Sequence, residues 1–248
     1  MRIGPTSGRG RVNTQWTDLR QQIRTHRLAQ KGGDLELLLQ LLKESGCTEP
    51  RILDVGSGGR RITPGAIGLD MRRGAGVDLQ ADATRLPIRS GSCDAAVATD
   101  VLMYVQDPAA AAAELIRVLK PGGIIFAAEP FLYPDMGSGT MRFTSRGLAG
   151  LFASCEILHQ GHQRGPSSAL LPLLTYYIAT LFSFNNFTLY RIIVRILLIL
   201  LYPLVFTDRA LMGYDRIPNR LYTNCVAYVR KPANAPVGGE AQAGVQGS

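Results

Sequence analysis

The sequence is poor in the side chains that build metal sites and disulfide-stabilised folds. It contains only four cysteines, Cys47, Cys93, Cys155 and Cys225, and only three histidines in 248 residues. The cysteines are far apart and none belongs to a Cys-x-x-Cys pair, which argues against a structural zinc site and against a disulfide framework. We therefore expect no metal ion in the functional site, and free thiols in a reducing cytoplasm.

The N-terminal region has almost no acidic residues and no long apolar run. Up to Lys31 it carries seven Lys or Arg residues and a single acid, Asp18. Because no apolar stretch follows the N-terminus, a secretory signal is not expected and we predict a cytoplasmic protein. A basic arm of this kind could touch nucleic acid or anionic lipid, or simply be solvated. Its only aromatic residue, Trp16, offers little for stacking on bases, so a nucleic-acid partner is not favoured.

Short apolar segments alternate with helical stretches through the middle of the chain. Leucines at helical spacing predict a helix over 34–45 with Asp34 as its cap. Pro108 at a first-turn position begins a second predicted helix over 108–119. Buried strands that alternate with helices indicate an α/β protein with a parallel, doubly wound sheet. The predicted strands are 51–55, 66–70, 77–81, 94–99, 124–128 and 221–229.

The sequence Asp54-Val55-Gly56-Ser57-Gly58-Gly59 follows the first predicted strand directly. Glycines at the end of a strand let the backbone turn sharply and approach a ligand closely, and ligands of open α/β sheets bind at that edge. A mononucleotide P-loop needs Gly-Lys-Ser/Thr, which is missing, and a dinucleotide fingerprint needs a third glycine where this chain has Arg61. The remaining ligand class is S-adenosylmethionine, with Asp54 near its amino group and the loop backbone near its carboxylate.

Acidic residues also end the second and third predicted strands. Asp70 is placed where a carboxylate can accept hydrogen bonds from ribose hydroxyls, and Asp82-Ala83 is placed beside an adenine edge. Either acid alone could be an ordinary turn residue, but acids at three successive strand ends favour one shared ligand. The predicted cofactor-binding residues are Asp54, Gly56, Ser57, Gly58, Asp70, Met71, Asp82, Ala83 and Thr99.

Four stretches of the sequence resemble class I S-adenosyl-L-methionine-dependent methyltransferases of the type 11 family. They are RILDVGSGG (51–59), AIGLD (66–70), ADATRLPIRSGSCDAAVATDVLMYV (81–105) and ELIRVLKPGGIIFAAEPF (114–131). The resemblance implies methyl transfer from S-adenosyl-L-methionine. It also implies a Rossmann-like doubly wound sheet of about seven mostly parallel strands, with 221–229 as the antiparallel last strand.

The glycine loop departs from the family pattern in two ways. Arg60 stands where the usual loop carries a further glycine. In addition, only ten residues separate Gly59 from Asp70, too few for the helix that normally joins the first two strands. We therefore predict that this helix is reduced to a turn at 61–64.

Polar residues after the fourth and fifth strands are candidate contacts of the methyl acceptor. Glu129 ends the fifth strand and has the best position. Arg142 could hold an acidic substrate group, or pair with Asp135. His159 and His162 are three residues apart and would face one another if they lay on a helix, as a base or metal pair. The acceptor-side candidates are therefore Glu129, Asp135, Arg142 and His159, and no catalytic base is assigned.

An apolar region lies before the last predicted strand. Residues 165–190 contain no charged side chain, and the apolar run 196–206 follows Arg191 and Arg195. Neither stretch provides the uninterrupted 20 or so apolar residues of a spanning helix, about the length that crosses a bilayer. Three interpretations stay open: buried cap or dimer helices, a shallow hairpin in one leaflet with the arginines at headgroup level, or spanning helices.

Together these features predict the organisation of the chain and its function. We expect methyl transfer, with O-methylation favoured, to a small-molecule, glycan or lipid-linked acceptor. The protein would be cytoplasmic and peripheral on the inner face of the membrane through 165–207. The alternatives are a non-catalytic cofactor-binding protein and an RNA or DNA methyltransferase; the latter usually carries Asn/Asp-Pro-Pro-aromatic where this chain has Thr99-Asp100-Val101-Leu102.

The predicted parts are a basic flexible arm and helix (1–33), a cofactor-binding α/β core (34–164), an apolar helical cap or membrane-contacting insertion (165–210), the last strand (211–231) and a disordered tail (232–248).

Overall fold

The computed structural model describes residues 32–134, 139–211 and 221–234. The predicted basic arm, the candidate Asp135 and the end of the predicted tail lie outside the described residues. The strands are β1 (Ile52–Val55), β2 (Ile67–Asp70), β3 (Leu79–Gln80), β4 (Cys93–Thr99), β5 (Leu119–Pro130), β6 (Glu156–Gln163) and β7 (Asn224–Arg230). The helices are α1 (Gly32–Glu44), α2 (Pro108–Val118), α3 (Ser145–Gly150), α4 (Pro166–Phe182), α5 (Phe187–Leu201) and α6 (Asp208–Leu211), with 3-10 turns at Leu102–Tyr104 and Tyr202–Thr207.

The seven strands form one sheet in the order β3-β2-β1-β4-β5-β7-β6. Neighbouring strands from β3 to β5 pair in parallel, whereas β7 pairs antiparallel with both β5 and β6. The predicted Rossmann-like sheet of seven mostly parallel strands is confirmed, and so is the antiparallel last strand.

Apolar side chains cover both faces of this sheet. Leu115 of α2 and Phe152, just after α3, are buried on one face, and Leu38 of α1 is buried on the other. The sequence of α2 explains its position: Pro108 occupies the first turn, and the Asp107 carboxylate caps the helix by accepting the N–H of Ala110 at 2.9 Å. Strands β4 and β5 are buried on both faces because their neighbours and the helices enclose them.

Between β1 and β2 the chain forms turns and no helix. The prediction of a turn in place of the usual helix is confirmed. The glycine loop must therefore be held in place by other contacts, which are described with the site below.

Several boundaries differ from those predicted. Helix α1 begins at Gly32, two residues before the predicted start at Asp34. The third strand is only Leu79–Gln80, and the last strand begins at Asn224 rather than at Leu221.

Strand β6 was not predicted, and the interpretation of its two histidines as neighbours on a helix is wrong. His159 is opposite Tyr228 of β7 and lies 5.9 Å from it between ring centroids, on the face covered by α1. His162 is opposite Cys225, which belongs to the other face. The two imidazoles therefore lie on opposite faces of the sheet and cannot act as a pair.

The predicted apolar helical insertion before the last strand is confirmed as α4, α5, the 3-10 turn and α6. It leaves the sheet after Gln163 and returns at Asn224, residues that are paired with each other next to Pro130. The carboxylate of Asp208 joins the end of the insertion to its start, because it accepts the N–H groups of Gly165, Ser167 and Ser168 at 2.7–3.1 Å. The insertion is therefore fixed at the edge of the sheet where the parallel strands end.

Candidate functional site

The predicted cofactor-binding residues meet at one edge of the sheet. Because β3, β2, β1 and β4 are adjacent and parallel, their C-terminal ends lie side by side. The glycine loop follows β1, Asp70-Met71 ends β2, Asp82-Ala83 follows β3, and Thr99 ends β4. This edge is where open α/β sheets bind their ligands.

The glycine loop has a backbone that other residues rarely adopt. Gly56, Gly58 and Gly59 have φ values of +70°, +57° and +85°, in the left-handed region that glycine enters without strain. The N–H groups of Gly56 and Ser57 both donate to the carbonyl of Leu69, at 2.7 and 3.1 Å. A Cβ added to Gly56 would lie 1.8 Å from Cγ2 of Val101, which follows β4. Gly56 is therefore required by the packing of the protein itself, before any ligand is considered.

Two predicted acidic residues hold this loop through its backbone. Oδ2 of Asp70 accepts the N–H of Gly58 at 2.9 Å, and Oδ2 of the buried Asp54 accepts the N–H of Ile62 at 2.7 Å. Asp70 also accepts the N–H of Arg72 at 2.8 Å through Oδ1. A carboxylate has about four acceptor sites, so these bonds leave Asp70 with capacity for hydroxyl groups of a ligand.

The loop backbone offers fewer donors than the sequence analysis expected. The N–H groups of Gly56, Ser57 and Gly58 are engaged as described, and that of Arg60 donates to the carbonyl of Ser57 at 3.0 Å. Because the N–H of Ile62 donates to Asp54, most of the backbone N–H groups named here in the turn between β1 and β2 have acceptors within the protein. A ligand carboxylate would therefore rely on the few remaining donors of this loop.

A second turn, between β2 and β3, supports the glycine loop, which has no helix after it to do so. Gly76 packs so closely on Gly59 that a Cβ on Gly76 would lie 2.9 Å from the Gly59 carbonyl oxygen. Asp78 accepts the N–H of Gly68 at 2.8 Å and forms an ion pair with Arg61. These contacts stabilise the loop conformation by linking it to the connection between β2 and β3.

The side chains at this edge fit an adenosyl group. The Asp70 carboxylate can accept hydrogen bonds from a ribose diol, and the exposed Met71 beside it offers an apolar surface. Ala83 is small and buried, and the neighbouring Asp82 accepts the N–H of Thr84 at 2.9 Å, which fixes the turn after β3. This edge therefore offers a hydrogen-bond acceptor, an apolar surface and a small residue, features typical of small-molecule sites.

Glu129, the foremost acceptor-side candidate, points into the protein. Its side chain is 0% exposed, and its two oxygens accept the N–H groups of Val101, Leu102 and Met103 at 3.0, 2.7 and 3.2 Å. Burial raises the pKa of Glu129 to about 8; the charge of Asp100 also raises it, and the three N–H donors oppose them. This environment makes Glu129 a positioning residue for the segment that contacts Gly56, rather than a direct contact of an acceptor.

The other acceptor-side candidates are dispersed. Arg142 is exposed and donates to the carbonyl of Pro134 at 3.4 Å. His159 lies four residues before Gln163, the end of β6, or about 13 Å from the ligand-binding edge at the usual rise of a strand. The structure does not bring His159 to the residues that follow β1, β2 and β4.

An aromatic stack that sequence reasoning missed lies at this edge. His162 stacks on Tyr222, with ring centroids 4.9 Å apart, and Tyr222 stacks on Phe131, also at 4.9 Å. Burial lowers the pKa of His162, and the charge of His159 lowers it further, which favours the neutral imidazole. The three residues are distant in sequence, and only the antiparallel pairing of β7 brings them together.

Within residues 32–134, 139–211 and 221–234, no three His, Cys, Asp or Glu side chains form a cluster that could hold a metal ion. All four cysteines are free thiols. The site chemistry of the described residues is therefore that of carboxylates, backbone amides and one neutral imidazole.

Comparisons with known proteins show a similarity to methyltransferases over part of the chain. Residues 59–127 match the family model described as a methyltransferase domain. A demethylmenaquinone methyltransferase of Renibacterium salmoninarum is 40% identical over 74 residues, covering 29% of this chain and 31% of that protein. An uncharacterized chloroplastic methyltransferase of Arabidopsis thaliana is 47% identical over 55 residues, covering 22% of this chain and 15% of that protein. The matched segments thus span less than a third of either relative.

Among solved structures, that of the cyclase SpnF aligns with 79% of this chain and 80% of its own, at 21% identity and a TM-score of 0.48.

Proposed function

We propose that this chain, which carries a class I methyltransferase domain of the type 11 family, transfers a methyl group from S-adenosyl-L-methionine to an acceptor at the C-terminal edge of its sheet. The observation that carries the proposal is the arrangement of Asp70, Met71 and Ala83 beside a glycine loop held by Asp54. The cofactor supplies a methyl group already activated by a positively charged sulfur. The protein contributes alignment of the reactants and exclusion of water.

In this proposal some residues contact the cofactor and others hold the glycine loop in place. Asp70 accepts hydrogen bonds from the ribose hydroxyls while its other acceptor sites keep Gly58 and Arg72 in place. Asp54 and Asp78 keep the loop in the conformation that leaves the edge open. Because these supports are carboxylates bonded to backbone amides, they act without the N-terminus of a helix between β1 and β2.

Replacing Asp70 with alanine should weaken the binding of S-adenosyl-L-methionine by about 1.5–3 kcal/mol, or roughly 10- to 150-fold in Kd, because charged hydrogen bonds to the ligand and to the loop are lost. Isothermal titration calorimetry measures the change. The matched control is Asp94→Ala, which removes a carboxylate paired with Lys120 at the start of β4, at the opposite edge of the sheet. Equal affinities for Asp70→Ala and the parent would contradict the assigned cofactor site.

A turnover assay with a labelled methyl donor separates an enzyme from a protein that only binds the cofactor. It should be run with EDTA present, because we propose a reaction that needs no metal ion. Binding without transfer to any acceptor in a cell extract would favour the non-catalytic alternative. Dependence on an added divalent ion would contradict the metal-free reaction.

We further propose that the acceptor is a hydroxyl group of a small molecule, glycan or lipid-linked compound, with His162 as its general base. A neutral imidazole at the acceptor side of the edge supports this, since a hydroxyl acceptor gains from proton removal during transfer. Phe131, at the other end of the stack from His162, would suit a ring or chain of the acceptor. We also propose a cytoplasmic location at the inner face of the membrane, which the free cysteines support.

His162→Gln should lower kcat by about 100-fold, near the lower limit for general-base catalysis, because the methyl donor is already activated. The KM for S-adenosyl-L-methionine should stay unchanged. The rate of the parent should fall at acidic pH as His162 is protonated, below the usual imidazole pKa of about 6.5, and this fall should be absent from the variant. The matched control is His159→Gln, on the opposite face of the sheet, and equal losses in both variants would contradict the assignment.

A further inference from the structure

The insertion exposes many large apolar side chains. We call residues 166–207, which include α4, α5 and the 3-10 turn Tyr202–Thr207, the apolar hairpin. Phe184 at its tip is 82% exposed, and Ile199 and Leu200 near the end of α5 are 75% and 67% exposed. Contiguous exposed apolar surface of this extent marks a site of protein or membrane contact.

The second half of the hairpin has the composition of a membrane-embedded helix. Phe187–Thr207 forms one helical segment of 21 residues with a mean hydropathy of 2.2, and only 6% of its most apolar window is buried. A core helix of equal apolarity would be covered by the rest of the fold. This exposure contradicts a cap buried within the described part of the chain.

The hairpin is apolar on both of its outer sides. On α4, Thr175 and Ala179 are buried against the returning segment, while Leu173 and Tyr177 are exposed on the other side of the helix. On α5 the buried position is Val194, and the exposed isoleucines lie away from it. A second copy docked through one flat interface would cover one outer side only. Lipid surrounds a hairpin and covers both.

The charge of this region is of one sign. Between Glu156 and Asp208 the sequence contains no acidic residue, whereas Arg191 and Arg195 lie along α5. Arg191 lies over the ring of Phe187, 6.0 Å from its centroid. Arginines on the flank of an apolar helix complement the negative headgroups of anionic lipid.

We propose that the apolar hairpin inserts into one leaflet of an anionic lipid bilayer and docks the protein there. Insertion into one leaflet, rather than crossing, follows from two polar features: Arg191 and Arg195 lie within α5, and the tip contains Asn185 and Asn186. The hairpin leaves the sheet at the ligand-binding edge, just after Gln163, which is paired with Asn224 next to the end of β5 at Pro130. Docking therefore brings that edge to the membrane surface.

Flotation of the full chain with phosphatidylcholine vesicles, with and without phosphatidylglycerol, tests the proposal without any measurement of methyl transfer. The parent should float with the vesicles that contain phosphatidylglycerol. Joint replacement of Ile199 and Leu200 by serine should reduce the bound fraction at least about tenfold, because two exposed apolar side chains lose their transfer into lipid. Ile157→Ser, at an exposed isoleucine of β6 outside the hairpin, is the matched control and should float like the parent.

Joint replacement of Arg191 and Arg195 by glutamine should weaken the preference for phosphatidylglycerol, while the basic arm stays in place, and leave the free energy of unfolding unchanged. An unaltered preference would overturn the role of the arginines. Recovery of the parent entirely in the soluble fraction, with phosphatidylglycerol present and no detergent, would overturn docking. In that case sedimentation equilibrium tests for a second copy as the partner. A parent that is a dimer, and that the two serine substitutions convert to a monomer, would identify it. Because flotation does not depend on the cofactor, failure here leaves the proposed methyl transfer standing.

Discussion

Replacement of Gly56 by alanine is expected to lower the free energy of unfolding by about 2–5 kcal/mol, the sum of two costs. A left-handed backbone at φ +70° costs a residue with a Cβ about 1–2 kcal/mol. The added Cβ would also lie 1.8 Å from Cγ2 of Val101, and overpacking of this kind costs about 1–3 kcal/mol. Urea denaturation of the variant and the parent measures the difference through the midpoint at constant m value.

A double-mutant cycle isolates the contact with Val101. Val101→Ala removes the offending Cγ2 atom, so in that background Gly56→Ala should cost only the backbone term of about 1–2 kcal/mol. Gly46 provides the matched control, since it has φ +85° and no atom within 4 Å of an added Cβ. If Gly56→Ala costs no more than Gly46→Ala, the close packing of the loop on Val101 is contradicted.

This result would also correct the sequence-based view of Gly56. From the sequence, Gly56 was interpreted as a residue that lets the backbone approach a ligand closely. The structure shows that a side chain there would meet Val101 first. A glycine after a strand indicates a close approach of the backbone to something, but the sequence does not say whether that neighbour is a ligand or another part of the protein.

The sheet was predictable where its strands are buried on both faces. Strands β1, β2, β4 and β5 read as short apolar runs because helices or loops cover each side. Strand β6 lies at the edge of the sheet and is mostly exposed, so its sequence EILHQGHQ carries no apolar run. Its pairing with β7 is a long-range contact that no local pattern encodes.

The position of the site was predictable, but not the direction of its side chains. Residues that follow adjacent parallel strands must meet at one edge, which is why Asp70 and Asp82 could be assigned to one place from their strands alone. Which backbone N–H group each carboxylate accepts depends on the conformation of the loops. The loop between β1 and β2 lacks the helix that usually joins these strands. Glu129 shows the same limit: the sequence places it at the end of β5, and only the backbone of 101–103 turns its carboxyl inward.

The stability contributed by Glu129 is expected to depend strongly on pH. Burial raises the pKa of its carboxyl from the ordinary 4.5 to about 8. Between these values the folded protein keeps a proton that the unfolded chain has released, so the free energy of unfolding falls as pH rises, by up to about 1.4 kcal/mol per pH unit. Glu129→Gln has no proton to lose. The stability of the parent relative to this variant should therefore fall by about 3–4 kcal/mol from pH 5 to pH 8, measured by urea denaturation at each pH.

Glu156→Gln is the matched control, because Glu156 is an exposed carboxylate on β6 and its removal should leave the pH dependence of the parent intact. A relative stability that rises with pH would contradict the prediction and show that the N–H groups of residues 101–103 outweigh burial and keep Glu129 ionised. Ionisation of Glu129 should also affect the binding of the cofactor. It adds a buried charge that Asp100 repels and that residues 101–103 contact through their N–H groups, and Val101 of that segment packs against Gly56. Affinity for S-adenosyl-L-methionine should accordingly decline above pH 8 in the parent and stay level in Glu129→Gln, since only the parent gains a buried charge there.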